Sequence, residues 1–338
     1  MRRAGPGLSS PSRIIFETEE PCTARTSLPK THLRVRDTSI RPRISWIGLG
    51  KIAGHHLDAC AHAPDLGQPV AGCDISPEAR KRFEQRIATV GSLDELLERA
   101  HADVIVVSTP TPTHYDVCRS VIERGGPRTL LVEKPIATSS EEVRELIAAA
   151  ARAGIELNGI YHAAYAPEVE WALEHLGEEI GDAVRIEAEF LDPDLSAATF
   201  GDSWLDSGIN ALSILARFVS IRSGEVSAVA SLAATFEANF EGSSGGSAIP
   251  IRILTSWRAS EPSKVTRFYL RDGGLVVLNH QAIAVQHFPH QAAVIAWASE
   301  SRLPRLTQHY VRALRHELSG HSPEGRDLEL HRLLLESR

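Results

Sequence analysis

Cysteine and methionine are rare in this sequence, and it contains no long apolar run. Its 338 residues include 4 cysteines and 1 methionine. The cysteines lie far apart, without a Cys-x-x-Cys pair or neighbouring ligands, so neither a zinc site nor a disulfide framework is indicated. No apolar stretch approaches the roughly 18 residues of a membrane-spanning helix, and the N-terminus lacks the apolar core of a signal peptide. We therefore expect a cytoplasmic protein with reduced thiols and no membrane partner.

An excess of positive charge is also absent. The 43 acidic residues outnumber the 36 basic residues, and the formal net charge is -7. No global basic field would therefore attract nucleic acid. Hydrophobic residues make up 43% and charged residues 23%, which is typical of a globular protein with a sizeable core. These values favour a small-molecule partner over a polyanion.

The length corresponds to about two domains, and the composition changes near residue 43. Residues 1–42 are rich in Arg, Ser, Pro and Thr, and they predict a disordered or arm-like extension without an assigned function. Over 43–162, short β-branched runs alternate with amphipathic helices, which is typical of βαβ units and a parallel sheet. One of these helices begins with a capping box, Ser139 and Glu142, and ends at Gly154.

The second half has a different pattern. Over 163–320, apolar runs follow one another with few helices between them, which predicts an α+β domain with a large, mainly antiparallel sheet. We read one such run as continuous from 225 to 240. We expect this domain to bind substrate and to form a homodimer or homotetramer through an apolar outer face of the sheet. Residues 321–338 predict a C-terminal helix that packs back toward the first domain.

A glycine-rich loop follows the first strand and opens a helix. Its sequence fits G-x-G-x-x-A, in which the first two glycines allow a tight turn and close approach of a pyrophosphate, and the small third residue allows helix and strand to pack. A tight turn without a ligand is the alternative. We predict that 43–162 is a Rossmann dinucleotide-binding domain. The loop residues expected to bind the cofactor are Gly48, Gly50, Lys51, Ile52 and Ala53.

Asp74 ends the second strand, 21 residues after Ala53. A carboxylate at this position accepts hydrogen bonds from a free ribose 2'-hydroxyl and repels a 2'-phosphate, so NAD is the expected cofactor. Ser76 and Arg80 follow closely and offer a possible phosphate clamp, which leaves NADP open. On a helix, Arg80 is more often simply solvated.

Further candidate residues stand at the ends of later strands, where a doubly wound sheet places its ligands. The fourth run ends in Glu133 and Lys134, and a lysine held there is placed to exchange a proton beside the nicotinamide, although many such lysines are exposed and idle. His162 follows the fifth run, either as a substrate ligand or as a structural residue. The third run closes with a hydroxyl-rich loop in which Thr113 is alternatively a helix cap. The residues of that loop expected at the cofactor are Ser108, Thr109, Pro110, Thr111 and His114.

A helix near 206–218 carries Asp206 and Asn210 four residues apart, so both side chains share one face. They can address one ligand, or Asp206 can serve only as the helix N-cap. Trp204 directly precedes this helix.

Together these segments resemble the glucose-fructose oxidoreductase, inositol 2-dehydrogenase and rhizopine catabolism (Gfo/Idh/MocA) family. The resemblance covers 44 to about 335 and rests on GLGKIA, STPTPTH, VEKP and the Asp-x-Gly helix. It implies that Lys134 and Asp206 lie at the substrate beside the nicotinamide. Where the family has a histidine after the Asp-x-Gly element, this chain has Asn210.

The string from Trp204 to Ile214 is similar to the branch with bacterial L-arabinose and D-galactose 1-dehydrogenases. That similarity implies oxidation of the anomeric C1 hydroxyl of a free aldose to a lactone, with Lys134, Asp206 and Asn210 as catalytic residues. It further implies that His162, Trp204 and Trp257 contact the substrate. No metal is expected.

An asparagine does not accept a proton near neutral pH, so the base must be another group, and Lys134 or Asp206 is the available choice. We expect Lys134 to remove the C1 proton while Asp206 and Asn210 orient the sugar. Two alternatives remain: a dehydrogenase or ketoreductase acting on another position of a modified or nucleotide-linked sugar, and a non-catalytic dinucleotide or sugar sensor.

Overall fold

The computed structural model describes residues 41–338 except 194–201, 230–233, 245–246, 291–293 and 324. The predicted extension over 1–42 thus lies almost entirely outside the described residues. The remainder is built on two sheets with helices packed around them.

Within the described residues, six parallel strands form the first sheet, in the order β3-β2-β1-β4-β5-β6. The strand order reverses between β1 and β4, which is where ligands bind in doubly wound sheets. The predicted Rossmann architecture is therefore confirmed, with a short third strand that the apolar pattern did not reveal. The strands are β1 (Arg43–Ile47), β2 (Gln68–Cys73), β3 (Ala88–Val90), β4 (Val104–Val107), β5 (Thr129–Glu133) and β6 (Glu156–Ile160).

Helices connect these strands, and three of them begin after a serine whose side chain caps the helix. Ser139 and Glu142 form the predicted capping box, and Gly154 ends the same helix at φ +70°. Thr113 does not cap its helix with its side chain; its hydroxyl instead donates to Thr109 Oγ1 and to the Pro110 carbonyl. The helices are α1 (Lys51–His62), α2 (Pro77–Phe83), α3 (Leu93–Ala100), α4 (His114–Glu123) and α5 (Ser140–Ala153).

The second sheet has the order β14-β13-β12-β11-β7-β10-β9-β8. Its described strand pairs are antiparallel except for β7 with β10, so the mainly antiparallel prediction is confirmed. The strands are β7 (Ala183–Leu191), β8 (Ser220–Ala228), β9 (Thr235–Ser244), β10 (Ser247–Ser256), β11 (Ser263–Leu270), β12 (Leu275–Asn279), β13 (Ala284–Phe288) and β14 (Ile295–Ala298).

The apolar run over 225–240 is not one strand. It contributes to β8 and β9, which pair antiparallel with Val226 opposite Ala238. The prediction of a continuous strand was wrong because its apolar alternation continues through the connection between two strands.

One face of this sheet carries charges rather than an apolar surface. Arg252 donates to Glu237 at 2.8 Å, Arg267 lies 3.1 Å from Glu189, and the Tyr269 hydroxyl donates to Glu187. Opposite charges on neighbouring strands stabilise a solvated face. The apolar face that we expected to drive self-association is therefore not present on these strands, and oligomerisation stays a prediction.

The remaining helices join the two sheets into one core. A continuous cluster of buried side chains extends from Trp46 on β1 through Tyr310 to Phe268 on β11. Among the described residues, no helix has the length and apolar character needed to cross a bilayer. The helices that join the two sheets are α6 (Pro167–Gly181), a π-helical turn (Trp204–Gly208) continued by α7 (Ile209–Leu215), α8 (Arg305–Ser319) and α9 (Arg326–Leu335).

A buried arginine at the start of α9 fixes the C-terminal helices against the first sheet. Arg326 contacts Glu317 through both terminal nitrogens, at 2.8 and 3.1 Å, and Asp327 at 2.9 Å. The Asp327 carboxylate in turn accepts a hydrogen bond from the Gly159 amide on β6 at 2.8 Å. The Glu317 side chain is fully buried, so its charge is balanced mainly by Arg326.

Replacing this arginine should destabilise the fold strongly. We expect Arg326→Met to lower the free energy of unfolding by about 3–5 kcal/mol, because it leaves the Glu317 carboxylate buried without a positively charged partner. Arg315→Met is a matched control, since Arg315 pairs with Asp65 on the surface, and it should cost about 1 kcal/mol or less. Urea unfolding measures both variants. Equal losses would show that the buried cluster does not hold α9 in place.

Candidate functional site

The loop after β1 lies directly against the loop after β4. Gly48 has φ +91°, and a Cβ on it would lie 2.7 Å from backbone atoms of Ser108 and Thr109. The Ser108 hydroxyl donates to the Gly48 carbonyl at 2.9 Å. Only glycine permits both this backbone conformation and this approach, so Gly48 brings the two predicted cofactor loops together.

Gly50 leaves the N-terminus of α1 open. It is the N-cap of a helix without a side-chain cap and without an acidic residue in its first turn. A Cβ on Gly50 would meet no atom within 4 Å, so the space in front of the first helical amides is free. Ala53 is fully buried behind them, where helix and strand pack closely. Unpaired amides at a helix N-terminus fit the pyrophosphate of a dinucleotide.

Asp74 connects the second strand to the glycine loop. Its carboxylate accepts hydrogen bonds from the amides of Leu49 and Ser76, each at 2.8 Å. Each oxygen keeps a further lone pair for a ribose hydroxyl. The Arg80 guanidinium donates to the carbonyls of Asp74 and Ile75, so in this structure it supports the loop. Gly50 and Asp74 thus fit the two ends of an ADP moiety.

His114 supports the site from behind. Its ring is 1% exposed and lies between the carbonyls of Pro135, at 2.8 Å, and Thr109, at 2.7 Å. Burial lowers its pKa below the ordinary value, although both carbonyl contacts oppose this shift. The prediction that His114 contacts the cofactor is therefore corrected: it positions the loops that follow β4 and β5.

Glu133 is also buried. One carboxylate oxygen lies 2.9 Å from Nε2 of His56, and the other accepts a hydrogen bond from the Lys134 amide at 3.2 Å. Burial raises the pKa of Tyr310 well above its ordinary value, and the neighbouring Glu133 carboxylate contributes to the shift. Glu133 thus fixes the backbone that carries Lys134, and its predicted cofactor role becomes one of positioning.

Lys134 reaches from the first sheet to the second domain. Its Nζ donates to Asp206 Oδ1 at 2.6 Å and to the Asp206 carbonyl at 2.9 Å, and its side chain is 11% exposed. Burial tends to raise the pKa of Asp206, but the charge and hydrogen bond of Lys134 outweigh it and hold that pKa below its ordinary value. Asp206 is therefore ionised at neutral pH, and the two residues form an ion pair that links the two domains.

The π-helical turn positions Asp206. Gly208 permits the turn to close on Trp204, because a Cβ there would lie 2.5 Å from the Trp204 ring. Asn210 follows one turn later, and its amide donates to the Asp206 carbonyl at 3.2 Å. Its Oδ1 is buried without a hydrogen-bond partner among the described residues. Asp206 and Asn210 thus share one face, and Asp206 does not act as a side-chain N-cap.

Trp204 does not contact the site. It is fully buried, its indole nitrogen donates to the Leu334 carbonyl at 2.8 Å, and its ring stacks on Phe240. The prediction that Trp204 binds substrate is corrected: it is a core residue that packs the π turn against α9 and the second sheet. Trp257, by contrast, lines the cavity.

A cavity of about 340 Å³ lies between the two sheets, and Lys134, Asp206 and Asn210 are among the residues that line it. Its size lies within the range of about 300–1,000 Å³ that is typical of small-molecule sites. Among the described residues, no group of three or more His, Cys, Asp and Glu side chains is placed to hold a metal ion. The predicted residues that line the cavity are Lys51, Ile52, Lys134, His162, Asp206, Asn210 and Trp257.

Two histidines in the cavity, His162 and His309, are uncharged at neutral pH. His162 and His309 face each other with their Nδ1 atoms 3.5 Å apart. Burial is the main cause that holds the pKa of each ring well below its ordinary value, and nearby cations add to the effect. Neutral imidazoles at this position offer hydrogen bonds rather than charge.

The sequence did not reveal the distal half of the cavity. The residues that line this distal half come from α6, from the ends of β7 and β12, from the start of β11 and from the first turns of α8. Each is a single polar residue without a surrounding motif. Only the positions of Asp192 and His280, directly after β7 and β12, could have indicated a ligand site. They are Glu168, Asp192, Lys264, His280, Arg305, His309 and Tyr310.

A comparison with known families matches the first domain. Residues 43–158 match the Gfo/Idh/MocA family model, described as "Oxidoreductase family, NAD-binding Rossmann fold". This match supports the predicted family, and it confirms the predicted Rossmann fold and nicotinamide dinucleotide cofactor for this part of the chain. The resemblance to the arabinose and galactose dehydrogenase branch stays a prediction.

Two curated relatives resemble part of the chain. A trans-1,2-dihydrobenzene-1,2-diol dehydrogenase of Xenopus laevis is 38% identical over 150 residues, which are 43% of this chain and 44% of that protein. A D-xylose 1-dehydrogenase (NADP(+)) of Haloferax volcanii is 28% identical over 141 residues, 38% of this chain and 42% of that protein. The chain thus spans less than half the length of these relatives.

Solved structures share the whole architecture. An inositol dehydrogenase homologue from Azotobacter vinelandii, complexed with NADH and myo-inositol, has a TM-score of 0.73 at 16% identity, covering 88% of this chain and 96% of that one. A UDP-N-acetylglucosamine 3-dehydrogenase from Acidithiobacillus ferrooxidans has a TM-score of 0.71 at 21% identity, covering 88% and 95%. At these identities the likeness establishes the fold.

Gly50→Ala should separate cofactor binding from folding. The backbone at Gly50 accommodates alanine, and the added methyl group enters the open space at the start of α1. We expect affinity for NADH to fall roughly 10- to 100-fold, because hydrogen bonds from the helix amides to the phosphates are lost. Fluorescence titration measures the affinity, and thermal melting should show a stable fold.

Gly54→Ala is the matched control within the same helix. A Cβ on Gly54 meets the Phe83 ring at an ordinary 3.8 Å, so we expect unchanged NADH affinity and equal or higher stability. Unchanged affinity in Gly50→Ala would place the dinucleotide elsewhere.

Proposed function

We propose that this protein is an NAD-dependent dehydrogenase of sugars or polyols, and that it oxidises the anomeric C1 hydroxyl of a free aldose to the lactone. The observation that carries the proposal is the 2.6 Å contact between Lys134 Nζ and Asp206, facing the cavity that Lys51 and Ile52 of the glycine loop also line. A proton-exchanging group and the expected nicotinamide position thus border the same space. Bound NAD supplies the hydride acceptor.

Lys134 is the proposed base. In its neutral form it accepts the proton of the C1 hydroxyl, and the resulting ammonium is held by the carboxylate and carbonyl oxygens of Asp206. The lowered pKa keeps Asp206 ionised throughout the neutral range, so the ammonium retains its partner. An ion pair formed during the reaction lowers the barrier to proton transfer.

Asn210 and His162 are proposed to orient the sugar rather than to exchange protons. The unpaired Oδ1 of Asn210 is a buried acceptor suited to a sugar hydroxyl. The low pKa of His162 makes its neutral ring a weak base, and it therefore offers a hydrogen bond. C1 oxidation demands little more of the protein, because the ring oxygen of an aldose stabilises positive charge developing at the anomeric carbon.

We propose that the charged face of the second sheet is the interface of a homodimer or homotetramer. In such an oligomer, the charged side chains of one copy would pair with those of a second copy. A dimer or tetramer formed in this way would depend on salt, since its contacts would be ion pairs between exposed side chains.

The activity is tested by mixing the protein with NAD or NADP and a panel of neutral and acidic free aldoses, and following absorbance of the reduced nicotinamide. We expect reduction of NAD with a small number of these sugars. If no sugar in the panel is oxidised but a nucleotide-linked sugar is, the proposal is wrong, and the protein is a dehydrogenase acting on a nucleotide-linked sugar. Dinucleotide binding without turnover of any sugar would favour a sensor.

Lys134→Met should reduce turnover in this assay by roughly 10²- to 10⁴-fold, the usual contribution of general base catalysis. Its NADH affinity should stay close to that of the wild type. Lys81→Met, at an exposed position of α2, is the matched control and should retain full activity. A near-normal rate in Lys134→Met would remove Lys134 from the role of base.

A further inference from the structure

The distal half of the cavity contains charges that the proposed proton transfer does not use. Four elements supply them: α6 with Glu168, the end of β7 with Asp192, the start of β11 with Lys264, and the start of α8 with Arg305. Charged side chains in such a confined space require partners, and the way they pair indicates which charge a ligand can carry.

Two of these groups neutralise each other. Lys264 Nζ lies 2.6 Å from Asp192 Oδ2, and both side chains are more than two-thirds buried. Glu168 is fully buried, and its Oε1 contacts His280 Nδ1 at 2.8 Å. The second ring nitrogen of His280 contacts the Thr266 hydroxyl at 2.9 Å, which fixes the ring.

Arg305 is different, because its guanidinium forms no hydrogen bond or ion pair with any described residue. It is the first residue of α8, whose first turn contains no acidic side chain and whose N-cap is Pro304. Burial lowers the pKa of Arg305, while Glu168 and Asp192 oppose the shift. An arginine ordinarily titrates above pH 12, so the side chain still carries its charge at neutral pH.

Unpaired polar atoms belong to residues that line the same cavity as this guanidinium. His309 stands one turn after Arg305 on α8 and is 1% exposed, and its Nε2 has no hydrogen-bond partner among the described residues. Oε2 of the fully buried Glu168 is likewise without a partner. Leaving such atoms unsatisfied is costly, so their position in one cavity indicates a polar ligand that bonds to them.

We propose that Arg305 binds a carboxylate of the substrate, and that the aldose oxidised at C1 is a uronate. This inference rests on the proposed function. One guanidinium without an ion-pair partner among the described residues matches one negative charge, and its planar fork suits a carboxylate. A phosphate dianion would bring a second charge near Glu168 and Asp192. The hydroxyls of the sugar then bond to Glu168 Oε2, His309 Nε2 and Asn210 Oδ1.

The reaction leaves the carboxylate unchanged. The C1–H bond breaks, with its electron pair passing as hydride to NAD+, while the C1 hydroxyl proton passes to Lys134. The product is the lactone of the aldaric acid.

Calorimetric titration of the full chain tests the subsite, with NADH present so that the sugar is not oxidised during the measurement, and parallel samples contain NAD. D-Galacturonate and D-galactose differ only at C6, as do D-glucuronate and D-glucose. We expect each uronate to bind about 10- to 100-fold more tightly than its neutral counterpart, the usual value of a charge-assisted hydrogen bond. Equal binding would overturn the inference. Tighter binding of D-galactose 6-phosphate than of D-galacturonate would overturn the assignment to a carboxylate.

Substitutions identify the arginine. Arg305→Gln should bring the ratio of uronate to neutral affinity close to one, and Arg305→Lys should retain part of it. Arg302→Gln, at an exposed position three residues earlier, is the matched control and should leave the ratio unchanged. A ratio that persists in Arg305→Gln would overturn the inference.

The same samples separate this inference from the proposed function. Uronate binding that depends on Arg305 without formation of reduced nicotinamide would contradict the dehydrogenase and support the anion subsite. Oxidation of neutral aldoses without any preference for uronates would support the dehydrogenase and overturn the subsite.

Discussion

The candidate site depends on the contact between Lys134 and Asp206. The two residues lie 72 positions apart in the sequence, Lys134 in the first domain and Asp206 in the second. They meet only when the two domains are held against each other. On one side, Glu133 and His56 hold the backbone that carries Lys134. On the other, the π turn presents Asp206, and the Trp204 ring anchors that turn to α9.

The C-terminal helices make this arrangement rigid. Tyr310 of α8 packs its ring edge-on against His56, with centroids 4.6 Å apart, and Arg326 of α9 is tied to Glu317 within the core. Both helices follow the second sheet in sequence and return to the first. A cavity between two domains keeps a fixed geometry when such returning elements pack against both, because residues that contact a ligand hold their positions only when the residues behind them support them.

Charge is distributed unevenly within that geometry. Beside the first sheet, a lysine is paired with a carboxylate, which suits a proton transfer. In the distal half, Asp192 and Lys264 form an ion pair, whereas Arg305 has no ion-pair partner among the described residues. His162 and His309 are neutral and therefore add no further positive charge to the cavity. The cavity can therefore treat the two ends of one sugar differently.

The sequence predicted those parts that depend on local pattern. The glycine loop, the capping box at Ser139 and the alternation of strands and helices each follow from neighbouring residues, and so did the shared face of Asp206 and Asn210. Trp204 was placed wrongly because a tryptophan beside a candidate aspartate carries no sign of which way its ring packs. Glu168, Arg305 and His309 were missed because sheet register and helix return bring them together, and no local motif encodes either.

The most direct test of the central claim is a double-mutant cycle on the rate of nicotinamide reduction, using Lys134→Met, Asp206→Asn and the combined variant in single-turnover experiments. If the two residues act as one unit, the combined variant should be slowed about as much as the slower single variant. Losses that multiply would show that Lys134 and Asp206 act independently and would contradict the account.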